Sequence, residues 1–535
     1  MKKKLALLIA LAFYVSILPP LSSADLIKGN FSDIITKGPW VDVRASQSGL
    51  AGAVLDGVTD DSAAFIRSVN AATPNGTVVI PGTMAIGSNG WTGINLTGLS
   101  NVTIMGINGG GIKLLFLPSQ TYTNYSSIVA LKISNSTGVT VRDLDFDGNN
   151  LKSGLLGFDN VADSSVIHNT FHTLEYNDVA RPLMTSDAGT RNKYLYNDFK
   201  GGCYQLVVGL NSAGMEYHSK VALNTFKNPR GCLSAGMRYG SISGNTFNGC
   251  DAGLNLGTSV SFPSYGVSVV GNDAFNCADN STGSPGYGAG FRTDGAAGLN
   301  GAYGLTFTGN TVDNCSIGIS LSGIGHSSVS GNTLRYVDQG ISVGLGTGLS
   351  LNSNTITGGR GYDNNYAGIN LSVSGSIISS VISIVGNSII NFSLSTQAAI
   401  LFQETATSYY KNVNISGNVL DNNYNGIYVF AYGDYYNVSN NIITNGTTDI
   451  QTAIESGTFY GVNNIYTGST NLTSPMKYKL NAKTLSNGTA APTDNTVACA
   501  VGDIVWNTAN DNVLGWKCTT AGSPGTWKSM SVVFP

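Results

Sequence analysis

Phe307-Thr308-Gly309-Asn310-Thr311-Val312 recurs 22 residues later as Val329-Ser330-Gly331-Asn332-Thr333-Leu334. Related copies of this pattern are found around Asn169, Asn197, Asn224, Asn245, Asn272, Asn354, Asn387, Asn418 and Asn440. A fixed period in this range indicates stacked structural units, and short apolar runs between Gly and Asn indicate that the units are built from strands. A 22-residue unit suits three short strands and three turns, so the repeat predicts a parallel β-helix whose coils stack about 4.8 Å apart.

The recurring asparagine has two expected roles. Asn tolerates the left-handed backbone conformation, which suits a turn, and stacked Asn side chains can hydrogen-bond along a column. Some steps are longer, such as the 27 residues between Asn245 and Asn272. These steps predict loops at one corner of the coil, where repeat proteins usually bind their ligands.

The N-terminus is typical of an exported protein. Met1-Lys2-Lys3-Lys4 precedes an apolar run over residues 5–18, and Ser22-Ser23-Ala24 supplies small residues at its end. This pattern predicts a signal peptide over residues 1–24, because the run is shorter than the roughly 20 residues of a spanning helix. We therefore expect a secreted, extracellular or cell-surface protein with no membrane span in the mature chain.

Composition narrows the class of partner. Charged residues make up only 11% of the chain and the formal net charge is −3, which argues against nucleic-acid binding because such proteins usually carry a basic patch. A surface rich in amides and hydroxyls suits a glycan instead. The oligomeric state stays open.

The cysteines are less informative. Of seven, Cys499 and Cys518 are the best candidates for a disulfide in an exported protein. The other five could be buried thiols. No Cys/His cluster has the spacing of a zinc site.

An open solenoid end needs a cap, and residues 40–75 supply one. Asp60 or Asp61 can begin a helix whose apolar stripe is Phe65, Ile66 and Val69. The stretch 56–65 (DGVTDDSAAF), followed by 78–82 (VVIPG), resembles the opening of the pectate-lyase-like superfamily. The nearest branch is the rhamnogalacturonase/epimerase-like group, whose fold also occurs in phage tailspikes.

The resemblance is strong over about residues 40–110 and extends as a pattern to about residue 465. It implies an all-β, right-handed parallel β-helix over residues 25–470 with an N-terminal capping helix, and it implies activity on carbohydrate. Polygalacturonase motifs are not preserved, since Gly325-His326-Ser327 replaces Gly-His-Gly and Arg191-Asn192-Lys193 comes too early. The specific reaction therefore stays open, and Ca²⁺ is an expected cofactor only for a lyase.

Charges concentrate in one region. Fifteen of the 59 residues from Arg142 to Lys200 are charged. If Leu144 and Phe146 face the core, three acids face outward as catalytic candidates, with a merely solvated face as the alternative. These acids are Asp143, Asp145 and Asp147.

Aligning the coils extends this cluster. If Phe146, Phe171, Phe199, Phe226 and Phe247 stack inward, one outward column contains Asp147, His172 and Lys200, and another contains Asp145 and Asp198. His172 and Asp198 then join the catalytic candidates, although a charge ladder that only solubilises one face is the alternative. The substrate-binding candidates are His168, Glu175, Asp178, Arg181 and Lys200.

Beyond about residue 470 the repeat stops, and residues 471–535 are expected to form a small β-rich module. Trp506, Trp516 and Trp527 lie in it and could stack on sugar rings or form a small core around a Cys499–Cys518 bridge.

Two functions remain open at this point. One is a polysaccharide lyase or glycoside hydrolase that acts on an acidic or complex glycan. The other is a non-catalytic β-helical adhesin or matrix protein that binds glycan.

Overall fold

Parallel strands wound into successive coils dominate the protein. The computed structural model describes residues 40–46, 49–116, 129–151, 153–172, 182–201, 204–209, 214–227, 231–259, 262–277, 288–295, 302–359, 367–373, 378–404, 409–430, 433, 435–452, 458–467, 469–472, 477–480, 483–488, 501, 504–507, 513–522 and 526–531. The coils form the predicted right-handed parallel β-helix.

Each coil contributes to three strand stacks. We name the strands that precede the Asn turn face 1, those that follow it face 2, and those that complete the coil face 3. Face 2 is a separate sheet of 16 strands. Faces 1 and 3 are linked into one larger sheet through a column of short strands between them. Ala252–Ser259 of face 3 pairs with the short strand Phe262–Tyr265, and Gly346–Asn352 of face 1 pairs with the short strand Ile324–Gly325.

The strands of each face are as follows. Face 1 comprises Trp40–Asp42, Thr77–Ile80, Thr103–Gly106, Thr140–Arg142, Ser165–Ile167, Lys193–Leu195, Lys220–Ala222, Ser241–Ser243, Ser268–Val270, Thr306–Thr308, Ser328–Ser330, Gly346–Asn352, Ile378–Val385, Tyr409–Ser416, Tyr435–Ser439 and Thr458–Val462. Face 2 comprises Asp56–Asp60, Thr83–Ile86, Gly111–Leu114, Asp145–Asp147, Thr170–His172, Asp198–Lys200, Thr225–Lys227, Thr246–Asn248, Asp273–Phe275, Thr311–Asp313, Thr333–Arg335, Thr355–Thr357, Ser388–Ile390, Val419–Asp421, Ile442–Thr444 and Ile465–Tyr466. Face 3 comprises Ile94–Thr97, Val129–Thr137, Gly154–Ala162, Pro182–Asp187, Tyr204–Val208, Gly231–Ala235, Ala252–Ser259, Ala289–Gly295, Ile317–Leu321, Gln339–Val343, Ala367–Val373, Ala398–Glu404, Asn425–Phe430, Thr448–Thr452 and Ser469–Leu472. Short strands between faces 3 and 1 are Glu216–Tyr217, Met237–Arg238, Phe262–Tyr265, Ala302–Tyr303 and Ile324–Gly325.

A ladder of asparagines, all buried except the half-buried Asn464, joins the coils at the turn between faces 1 and 2. Asn245 is typical, because its Nδ2 donates to the Val221 carbonyl at 3.0 Å and to Asn272 Oδ1 at 2.9 Å. Its backbone N–H donates to the same Asn272 oxygen at 3.0 Å. The ladder consists of Asn169, Asn197, Asn224, Asn245, Asn272, Asn310, Asn332, Asn354, Asn387, Asn418, Asn441 and Asn464.

Two details of the predicted turn were wrong. The ladder passes through Asn441 rather than Asn440, and the left-handed conformation belongs to the residue before each ladder asparagine. Gly244, Gly309 and Asn440 have φ of 62°, 62° and 55°. The preceding residue makes the bend, which leaves the ladder asparagine free to point its amide into the coil.

The capping helix spans Ser62–Ala72 and buries Phe65 and Val69 completely, while Ile66 is only half-buried. Asp61 is 3% exposed, and its carboxylate accepts hydrogen bonds from the Val54 and Leu55 amides at 2.7 and 3.1 Å. Asp60 accepts from the Ser62 amide at 3.0 Å. Both acids therefore stabilise the cap through these hydrogen bonds.

The prediction of buried thiols is wrong for four cysteines of the β-helix, which form disulfides. Cys232 pairs with Cys250, and Cys277 pairs with Cys315. Cys518 is fully buried and disulfide-bonded. Cys203 and Cys499 lie outside the described residues, so the Cys499–Cys518 pairing stays a prediction.

The C-terminal strands are Lys477–Leu480, Lys483–Gly488, Ile504–Asn507, Val513–Thr520 and Thr526–Ser531. The first pairs in parallel with Thr458–Val462 of face 1. Each later strand pairs antiparallel with the one before it, except that Lys483–Gly488 and Ile504–Asn507 pair in parallel. Within the described part of the chain, no helix has the length and apolar character needed to cross a membrane.

The ladder register can be tested with two neighbouring asparagines. Asn441→Ala should lower the free energy of unfolding by about 2–4 kcal/mol, because it leaves the buried Asn418 amide groups without their acceptor. Asn440→Gly should change stability by less than about 1 kcal/mol, because glycine adopts the left-handed conformation readily. Thermal and denaturant unfolding measure both, and the opposite ranking would show that Asn440 is the ladder residue.

Candidate functional site

Three neighbouring strands of face 2 bring the predicted charges together. Asp145–Asp147 pairs with Thr170–His172, which pairs with Asp198–Lys200, so that Asp147 lies beside His172 and His172 beside Lys200. The register predicted from the sequence is therefore confirmed. We name Asp145, Asp147, His172, Asp198 and Lys200 the face-2 cluster.

Stacked phenylalanines hold this register. The rings of Phe146, Phe171, Phe199, Phe226 and Phe247 follow one another at centroid distances of 4.7–5.0 Å, tilted by no more than 12°. All five are at most 1% exposed. Because side chains alternate along a strand, burial of each ring turns its two neighbours outward.

His172 lies between two carboxylates. Its Nε2 is 3.0 Å from Asp145 Oδ1, and its Nδ1 is 3.8 Å from Asp147 Oδ1. The first distance is that of a hydrogen bond, while the second is too long for one. The His172 side chain is 33% exposed, so it is oriented by Asp145 and open to a ligand. Such a group can give or take a proton.

Lysines lie on both sides of His172 in the same outward column, with Asp147 between His172 and Lys113. Lys113 pairs in register with Asp147, and Lys200 with Lys227. Lys200 Nζ contacts Asp198 Oδ2 at 2.7 Å. Asp198 is thus engaged by Lys200, and it is separated from Asp145 by Thr170, about 10 Å at the backbone.

Asp143 and His168 lie at the adjacent turn rather than on face 2. Asp143 adopts φ of 54° and contacts Arg142 Nε at 2.5 Å and His168 Nδ1 at 3.6 Å. The His168 ring lies 4.9 Å from that of Tyr196, which is 51% exposed. Asp143 is thus engaged by Arg142, while His168 lies beside an exposed tyrosine that could support a sugar.

A buried carboxylate lies inside the same coils. Glu216 is fully buried and accepts hydrogen bonds from Tyr194 Oη at 2.9 Å, from Ser219 Oγ at 2.5 Å and from Ser186 Oγ. Burial, and then the Glu216 charge, raise the pKa of Tyr194 well above its ordinary value. Tyr194 therefore stays a neutral hydrogen-bond donor. Glu216 and its three partners stabilise the core and do not face a ligand.

The remaining predicted residues fall into two groups. Glu175, Asp178 and Arg181 lie outside the described residues, and so does the side chain of Trp506. Trp516 is 8% exposed, so its ring is packed inside its segment rather than presented to a sugar. Trp527 is half-buried.

Sequence reasoning missed Lys113 and Tyr196. Lys113 lies on a coil before the recognisable Asn repeats, so no motif aligned it with Asp147. Tyr196 could have been found, because it immediately precedes Asn197 and the residue at that position turns outward in every coil from Asn169 onward.

Calcium does not fit the donors of this site. Ca²⁺ takes about six to eight oxygen ligands, whereas Asp145 and Asp147 face His172 and Asp198 faces Lys200. Among the described residues, no three His, Cys, Asp or Glu side chains converge as a metal site.

Phe171 should anchor His172. Phe171→Ala should lower the free energy of unfolding by about 3–5 kcal/mol, because it opens a cavity between Phe146 and Phe199. Phe275 occupies the outward column of the same face and is only half-buried, so Phe275→Ala should cost about 1 kcal/mol or less. Equal losses in denaturant unfolding would contradict the stacked arrangement.

The protein is similar in fold to several proteins of known structure. No family model matches the chain, and no curated protein matches it. Its structure is similar to the catalytic unit of a GH87 α-1,3-glucanase from Streptomyces thermodiastaticus, with 17% identity and a TM-score of 0.41 over 82% of this chain and 70% of that one. It is similar to a variant tailspike protein of E. coli bacteriophage HK620 in complex with a pentasaccharide, at 13% identity and a TM-score of 0.48 over 94% of each chain. It is also similar to the Streptococcus pneumoniae surface protein and adhesin PfbA, at 14% identity and a TM-score of 0.36 over 75% of this chain and 98% of that one.

Proposed function

We propose that the protein is a secreted enzyme that cleaves an acidic polysaccharide, with the face-2 cluster as its active site. The observation that carries the proposal is the hydrogen-bond distance of 3.0 Å between His172 Nε2 and Asp145 on an exposed face of the β-helix. Asp145 orients the imidazole, and His172 transfers the proton that either cleavage reaction needs.

The lysines around His172 favour an acidic substrate. Lys113, Lys200 and Lys227 share the outward column of His172 on neighbouring coils. A uronate carboxylate could lie against these ammonium groups while the glycosidic bond lies over the imidazole. In elimination, His172 would remove the proton next to that carboxylate and return it to the departing glycosidic oxygen. In hydrolysis, His172 would protonate the departing oxygen while the Asp147 carboxylate took a proton from the attacking water.

A non-catalytic glycan-binding function is supported by a different observation. Away from the cluster, the other outward column of face 2 is mostly hydroxylated, with Thr225, Thr246, Thr311, Thr333 and Thr355. Such a surface offers hydrogen bonds but no group for proton transfer.

Activity against a panel of acidic and neutral polysaccharides separates these functions. Ultraviolet absorbance of unsaturated uronates would identify elimination, and new reducing ends alone would identify hydrolysis. His172→Ala and Asp145→Asn should each lower the rate at least about 100-fold.

Asp313→Asn is the matched control, because Asp313 lies in the same outward column as His172, five coils further along, and contacts Arg335 at 3.1 Å. The control should cleave like the wild type. Wild-type protein that binds the panel without cleaving it, or a fully active His172→Ala variant, would refute the enzymatic proposal.

Secretion has its own test. Removal of residues 1–24 should leave an exported chain that begins at Asp25, which N-terminal sequencing of protein from the medium would detect. Exported protein that retains Met1 would contradict cleavage at this point.

A further inference from the structure

An exposed column of aromatic rings follows the turn between faces 3 and 1. Neighbouring centroids lie 5.4 Å apart for His218 and Tyr239, 5.3 Å for Tyr239 and Tyr265, 6.2 Å for Tyr265 and Tyr303, and 4.9 Å for Tyr303 and His326. Together with Tyr217 we name these residues the aromatic ladder. It crosses five successive coils.

Glycines on the following coils make room for the rings. A Cβ added to Gly325 would lie 2.5 Å from Tyr303 Cε2, one on Gly348 would lie 2.8 Å from His326 Nδ1, and one on Gly266 would lie 3.0 Å from Tyr239 Cδ1. The rings therefore lie against bare backbone. At Tyr239, Tyr303 and His326, the shape of the ladder therefore depends on a glycine of the next coil.

The tyrosines of the ladder remain open to solvent. Tyr217, Tyr239, Tyr265 and Tyr303 are 37%, 54%, 42% and 38% exposed. Single exposed aromatics are ordinary on protein surfaces, whereas a continuous exposed patch indicates a binding surface.

The edges of the ladder are polar and basic. The Arg238 guanidinium lies 5.8 Å from the Tyr217 ring centroid and donates to its hydroxyl at 3.4 Å. Lys220, Ser241, Ser268, Thr306 and Ser328 form an outward column of face 1 alongside. Asp163, two coils before His218 at the same turn, is engaged by Arg191 at 2.6 Å.

We propose that the aromatic ladder binds a linear acidic polysaccharide whose chain runs parallel to the β-helix axis. The coil spacing of about 4.8 Å is close to the length of one pyranose unit, so successive sugars meet successive rings. Amphipathic rings contact the apolar side of each sugar, the neighbouring hydroxyls bond its polar edge, and Arg238 and Lys220 neutralise its acid groups.

The inference takes its class of glycan from the proposed function but concerns a different surface. The ladder lies at the turn between faces 3 and 1, whereas His172 lies on face 2. Binding there would hold the polymer while another segment reaches the face-2 cluster, and this binding requires no chemistry.

Binding by the full-length protein tests the inference. Affinity electrophoresis in alginate, polygalacturonate and hyaluronan gels, with dextran as the neutral probe, would be run on a His172→Ala background to prevent cleavage. Tyr239→Ala and Tyr265→Ala should each weaken binding of at least one acidic polymer about three- to tenfold, and the double variant about 10- to 100-fold.

The control is Tyr435→Ala, because Tyr435 is 51% exposed and stacks on Tyr460 outside the ladder. It should bind like the parent protein, and so should Tyr265→Phe, which keeps the ring. Circular dichroism and melting curves would confirm that every variant is folded.

Several results would overturn the inference: double-variant binding equal to that of the parent, no retardation by any acidic polymer, equal retardation by dextran, or tighter binding of a single-stranded oligonucleotide. Failure of the proposed function looks different. In that case the wild type would cleave nothing while the ladder variants still lost binding.

Discussion

The hydrogen bond from each buried asparagine amide to the asparagine of the next coil fixes how the coils stack. Asn310, for example, bonds the Val269 carbonyl of the coil before it and Asn332 of the coil after it. A buried amide without its partner costs about 1–3 kcal/mol, so a coil that slipped by one residue would lose these bonds and turn its apolar side chains outward. One buried amide per coil therefore specifies the register of all three faces.

Both candidate surfaces follow from that register. On face 2, stacking of the phenylalanines leaves Asp147, His172 and Lys200 adjacent on three coils, although they are far apart in sequence. At the turn between faces 3 and 1, the same stacking aligns Tyr239, Tyr265 and Tyr303. A solenoid thus multiplies one position of its repeat into a column, and the residues at that position decide what the column can bind.

The sequence predicted the fold, the cap and the columns of face 2 because each has a local signal. Asn after a small residue, together with a following apolar residue, located the turn and its neighbouring strand. The sequence could not distinguish the left-handed residue from the ladder asparagine, because Asn suits both positions. Asn440 and Asn441 were therefore equivalent candidates for the ladder. Disulfides such as Cys232–Cys250 depend on loops of irregular length. The aromatic ladder could not be predicted from the repeat, because its residues alternate between two adjacent turn positions. Tyr239 occupies one position and Tyr265 the other, and the numbers of residues between successive coils are unequal.

A crystal structure of the Asp145→Asn variant with a bound acidic oligosaccharide tests the central claim most directly, because it reports the register and the site together. The account predicts Phe171 stacked between Phe146 and Phe199, and a sugar oxygen or carbon-bound hydrogen facing the His172 imidazole on face 2, with the sugar carboxylate towards a lysine of the same column. Phenylalanines out of register, or an oligosaccharide bound elsewhere with face 2 bare, would contradict it.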